Sequence, residues 1–264
     1  PTSPHCISSA ASDVYKRQIS IPFCGTPPVP AELMTRWALD PALLASLAAL
    51  PVLFLWLRRY SGRPGSVPLF AAGWAVLVVA FVSPLCALSA ALFSARVAHH
   101  VLLVAVAAPL FALANPLRGR MRLSHPGFWL LMHALLLWFW HAPMPYAAAL
   151  ADDGLYWLMQ LSLIASAFLF WAAVLEPRNA GIEAGLMMLA AMMQMGLLGA
   201  LITFAPRPLY AAHFLPPEAF GMTALADQQL AGLIMWAPGA LPYLLAALII
   251  VARVLGRDEA DARP

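Results

Sequence analysis

The stretch "FSARVAHHVLLVAVAAPLFALANP", residues 93–116, is apolar from Val101 to Ala114 and carries its polar groups at the front. At about 1.5 Å per residue it is long enough to cross a hydrocarbon core of about 30 Å. A water-soluble helix keeps one polar face, and the apolar half of this one has none. The stretch therefore reads as a membrane span that begins with Arg96, His99 and His100. Charged or ionisable groups inside a membrane are costly unless they pair, bind something or reach water.

Six more charge-free runs flank it, at 41–57, 67–95, 123–151, 155–175, 184–206 and 228–252; the quoted run itself extends over 97–117. The 264 residues are 62% hydrophobic and 10% charged, with a mean hydropathy of +0.79. Soluble domains carry about a quarter charged residues. The fold class is therefore all-α: a polytopic membrane protein with seven transmembrane helices, since no β-barrel alternation appears. The seven-helix domain is placed at 40–255, after an outer segment at 19–39 and before a tail at 256–264. Residues 1–18 contain "DVYKRQ", which resembles a translated sequencing-library adapter, and are set aside.

Arginines orient the chain, because positive charge is retained on the cytoplasmic side. Arg58, Arg59, Arg63, Arg118, Arg120, Arg122, Arg178, Arg253, Arg257 and Arg263 fall on one side. Arg36, Arg96 and Arg207 fall on the other, a bias of ten to three. The N-terminus is expected outside and the C-terminus in the cytoplasm. The net charge of +3 gives no reason to expect nucleic acid. Cys6, Cys24 and Cys86 share no CxxC spacing, so no disulfide framework or zinc ribbon is indicated.

In this topology polar residues from separate runs converge on the outer side. His99 and His100 open the third span, His141 closes the fourth, Cys86 lies near the end of the second, and His213 sits in an outer loop. Asp227 precedes the seventh span. Imidazole suits copper, zinc and iron, while sulfur favours Cu(I). Met188, Met192 and Met195 add a 4–3 pattern on the sixth span. Each piece has an ordinary alternative. Histidines at span ends bond water or headgroups, methionines fill helix contacts, and Cys86 is a small buried hydrophobe. Asp227 is equally a helix cap, Arg96 can snorkel, and Trp129, Trp138, Trp140 and Trp157 read as interfacial aromatics. The convergence of several spans favours a site, with Arg96 and Asp227 expected to pair beside it.

"WHAPMPY" (140–146), "PLY" (208–210) and "ADQQLAGLIMWAPG" (226–239) resemble the CtaG family, assembly factors for caa-type cytochrome c oxidase. The likeness runs from about residue 40 to 255. It implies a non-enzymatic role in maturing a haem–copper oxidase in the bacterial cytoplasmic membrane, with oxidase subunits or other assembly factors as partners and copper supply as the means. It carries the motif residues His100, His141, Asp227, Gln228, Gln229, Trp236, Pro238 and Gly239, with Trp140, Tyr146 and Tyr210 inside the matching segments. The family's histidine positions are here occupied by Arg96 in the third span and by Tyr156 and Gln160 in the fifth. His100 is then the first choice of copper ligand, with His99, His141, His213 and Cys86 as further candidates. The alternative is a copper transporter using the methionine face of the sixth span. Haem is not expected, because His133 has no partner at its depth, and no nucleotide loop, Ser-His-Asp set or HExxH motif supports a hydrolase.

Overall fold

The computed structural model describes residues 23–62, 65–121, 123, 125–179 and 181–261, with side chains to residue 256. The adapter-like tail 1–18, Arg63, Arg122, Arg263 and the Arg257 side chain lie outside the described residues. So do residues 19–22 of the outer segment and residues 262–264 of the tail.

Every regular element among the described residues is helical. The helices begin where the chain supplies caps. Asp40 accepts from Leu43 N at 2.8 Å with Pro41 following it, which starts α1 (Pro41–Ser61). Ser66 caps α2 (Val67–Phe81) and Ser83 caps α3 (Pro84–Ala91). Then come α4 (Phe93–Ala114), α5 (Pro126–His141), α6 (Pro143–Ala151) and α7 (Asp153–Val174). Asp152 caps α7 through Leu155 N at 2.8 Å. The last three are α8 (Ile182–Phe204), α9 (Ala224–Trp236) and α10 (Leu241–Asp261).

Among the described residues five helical stretches are long and apolar enough to span: α1, α4, α7, α8 and the α9–α10 run Ala224–Gly256. The bent pair α2 and α3, turned by 48°, makes a sixth. The expected run 67–95 is thus interrupted at Pro84, which lacks an N–H for the helix ladder. The run 123–151 is interrupted in the same way at Pro143, leaving α5 with 16 residues followed by α6.

The central helix is α4, packed against α2, α7 and α9. Its span window is 61% buried, against 17% for the peripheral α1. Within it residues Leu102–Ala107 form a π-helix, whose wider turn frees the Val104 carbonyl. Trp171 Nε1 and Tyr243 Oη donate to that oxygen at 3.1 and 3.4 Å. The helices α8 and α9 cross where Gly199 faces Gly232. A β-carbon on Gly232 would lie 2.5 Å from the Gly199 carbonyl oxygen.

The molecule has two chemically distinct ends. One gathers Arg118, Arg178 and Arg253. Arg118 Nη2 donates to Leu175 O at 2.6 Å, Arg178 Nη2 donates to Met121 O at 3.0 Å, and Arg118 and Arg253 line a 210 Å³ cavity. The other end holds the start of α4, the end of α5 and the loop 205–223, and with them His99, His100, His141 and His213.

Candidate functional site

The site is built from the first two turns of α4. Leu92 precedes that helix and supplies no capping side chain. The cap comes from another helix: Asp227 of α9 accepts from Phe93 N at 2.6 Å and from Ser94 N at 3.1 Å, and also from Ser94 Oγ. A carboxylate there meets both the orphan amides and the positive end of the helix dipole. Asp227 therefore does not form the ion pair with Arg96 expected from the sequence, nor does it cap its own helix, where Thr223 accepts from Ala226 N. Two backbone amides in fixed positions outcompete one guanidinium.

Arg96 follows one turn later and is completely buried rather than snorkelling. Its Nη1 donates to Tyr156 Oη at 3.3 Å, and its guanidinium carbon lies 5.3 Å from that ring's centre. A further turn on, His99 and His100 diverge as the helical 100° step requires. His99 sits edge-on to Phe81 of α2, with ring centres 4.8 Å apart. His100 faces His141 at the end of α5, at 5.3 Å. His141 Nδ1 donates to Leu137 O at 2.8 Å, which leaves Nε2 as the nitrogen with a lone pair. Neither that Nε2 nor either nitrogen of His100 has a hydrogen-bond partner.

The remaining candidates are engaged elsewhere. His213 Nδ1 donates to Ala91 O at 3.2 Å, so its Nε2 accepts from the Tyr146 hydroxyl at 2.7 Å. Both nitrogens are used, and burial lowers its pKa to about 4. These two bonds latch the loop to the end of α3 and to α6. Cys86 is bonded to Cys24 across 62 residues, a correction to the expectation of no disulfide; a disulfide sulfur offers no thiolate to a metal. Tyr210 Oη donates to His141 O at 2.8 Å, and its ring stacks on Phe93 at 3.8 Å. Trp140 is buried and donates to Ser162 Oγ at 2.9 Å, so it is an interior residue and not an interfacial one. Met188 and Met195 are buried in the helix core, with Met192 packed beside them. His133 bonds Ser166 Oγ at 3.0 Å.

Within "ADQQLAGLIMWAPG" the roles separate. Gln228 Oε1 accepts from Leu209 N at 2.7 Å and Nε2 donates to Ile202 O at 3.2 Å, which pins the loop to α8. Gln229, Trp236 and Pro238 are exposed, and Gly239 is buried at the turn between α9 and α10. Among the described residues no three of His, Cys, Asp or Glu gather into a metal-ligand set; the arrangement is an imidazole pair beside a guanidinium.

The sequence matches the profile of the cytochrome c oxidase caa3 assembly factors over residues 50–257. The chain belongs to the caa3 assembly factor (CtaG) family. No curated protein and no solved structure matches it. Asp227 and Gln228 hold the start of α4 and the loop 205–223 beside His100 and His141. Sequence reasoning missed Ser94 and Cys24. A serine in an apolar helix carries no local signal, and the two cysteines are brought together only by the fold.

Proposed function

We propose that this CtaG-family chain helps mature cytochrome c oxidase by handling copper, as cargo, at the outer face of the bacterial cytoplasmic membrane. The supporting observation is the pair His100 and His141, rings 5.3 Å apart, with three ring nitrogens lacking partners in a buried setting. Buried polar atoms are nearly always satisfied, so such a group calls for something to bind. Imidazole nitrogen suits copper. Two nitrogen donors without a thiolate or carboxylate make a weak site, as suits a metal that is passed on. His99, turned toward α2, is an auxiliary ligand at most.

Two independent features favour placing this end outside. Arginines concentrate at the opposite end. The Cys24–Cys86 disulfide belongs to this end, and disulfides persist in oxidising compartments. On this reading the second half of the expected fourth span, α6, lies along the outer surface.

The test is deletion of the gene in its native host, complemented with the wild type, His100→Ala or His141→Ala. Deletion should reduce active oxidase while its subunits are still synthesised. The variants should accumulate normally yet fail to restore oxidase at limiting copper. Full restoration by both variants would remove the imidazole pair from the function.

A further inference from the structure

Among the described residues the largest fully buried side chain is that of Arg96. A guanidinium stays charged in any protein environment. Among the described residues it forms no ion pair with a carboxylate. The nearby acidic group, Asp227, is consumed by the start of α4. The other neighbours of Arg96 are uncharged or basic. Tyr156 accepts from Nη1, the Tyr146 hydroxyl, whose proton goes to His213, also interacts with the guanidinium, and His99 and His100 lie one turn further along α4. A lone buried cation is strongly unfavourable without an anion.

The geometry also says which anion. Nη1 is the nitrogen that is occupied, while Nε and Nη2 lack hydrogen-bond partners. Those two nitrogens form one edge of the planar guanidinium and present parallel N–H groups, the fork that matches a carboxylate with two oxygens. We propose that Arg96 binds a small planar monoanion of the carboxylate type, formate or bicarbonate in size, through its Nε and Nη2 edge. Arg96 lies three residues after the start of α4, about 4.5 Å in by helical rise, at the histidine end of the molecule. Complete burial excludes a partner's side chain and selects a small diffusible ion. Bound there, the ion neutralises the guanidinium beside His100. The inference is independent of copper.

The experiment uses the full chain in detergent, with chelator present to remove metal. Unfolding temperature is followed against formate, bicarbonate and chloride at constant ionic strength, and binding is read directly from line broadening of 13C-formate. A saturable rise with formate or bicarbonate is expected, the stronger response naming the natural ion, with chloride at least tenfold weaker. Arg96→Gln, and Arg96→Lys, which keeps charge without the fork, should each raise the half-saturating concentration at least tenfold. Tyr156→Phe should retain saturation. If the Arg96 variants do not fold, the wild-type 13C signal decides by its competition with unlabelled formate but not chloride. Absence of saturable broadening, an equal response to chloride, or unchanged binding in Arg96→Gln overturns the proposal.

Discussion

At Asp227, replacement by asparagine keeps the size and one acceptor oxygen but turns an amide NH2 toward backbone donors. Two amides and a serine hydroxyl now share that carboxylate, and a buried donor left without a partner costs about 1–3 kcal/mol. Asp227→Asn should therefore lower the thermal stability of the detergent-solubilised protein by about that amount. Removing Arg96 as well should not restore it, because the two residues share no bond. An unaltered unfolding curve would show that the cap is dispensable. His213 makes a pH prediction. Its pKa falls from 6.5 to about 4 in the folded protein, so between those values the unfolded chain binds more protons. Its contribution is complete above about pH 6.5 and is lost progressively as pH falls toward 4. Hydrogen-exchange protection of residues 205–223, corrected for the intrinsic pH dependence of amide exchange, should fall between pH 7.5 and 5, and His213→Gln should flatten that dependence. Equal pH dependence in both proteins would assign the effect to another group. The type of each of these residues is plain in the sequence, but whether a histidine serves as ligand or latch depends on which nitrogens are already engaged.

Among the elements, the α8–α9 crossing gives the cleanest contrast. A β-carbon on Gly232 would collide with the Gly199 carbonyl oxygen and the Thr203 backbone, whereas one on Gly256 meets nothing within 4 Å. Overpacking of this kind costs about 1–3 kcal/mol, while glycine to alanine in an open helix gains about 0.5–1 kcal/mol. Gly232→Ala should thus reduce folded protein in the membrane, and Gly256→Ala should leave it unchanged or raised, both measured by size-exclusion of the extracted protein. Identical behaviour of the two would mean that α8 and α9 separate freely. The apolar runs predicted all these helices, yet three were read as unbroken: Pro84 and Pro143 divide two of them, and the turn holding Pro238 divides the run 228–252. That signal was present: a hydropathy count registers proline only as another uncharged residue, while its missing N–H decides where the ladder stops. The π-helix at Leu102–Ala107 had no such signal, because its stabilising donors, Trp171 and Tyr243, come from α7 and α10.

For the molecule as a whole, the arginine bias and the disulfide make a joint prediction of orientation. In a Cys6→Ser background, a cysteine at Arg120 should resist an impermeant thiol reagent in intact cells, and one at Asp152 should react. The native Cys24 and Cys86 should label only after reduction. Labelling at position 120 alone would invert the molecule and move the histidine end to the cytoplasm. Reduction should also loosen residues 23–39, which Phe23 fastens to Trp157 at 4.9 Å and Ala38 N fastens to Val82 O at 3.0 Å. The amino-acid sequence alone determined the helical membrane class, the approximate runs, the family and the presence of histidines at one end. These follow from local properties, since hydropathy, charge and motif need no partner to be read. The tertiary structure decided that Asp227 caps α4 instead of pairing with Arg96, that Cys86 is spent in a bond to Cys24, and that His100 meets His141 while His99 turns away. Each of those outcomes is a competition for one acceptor, one sulfur or one direction, and residues distant in the chain settle it only when the fold brings them together.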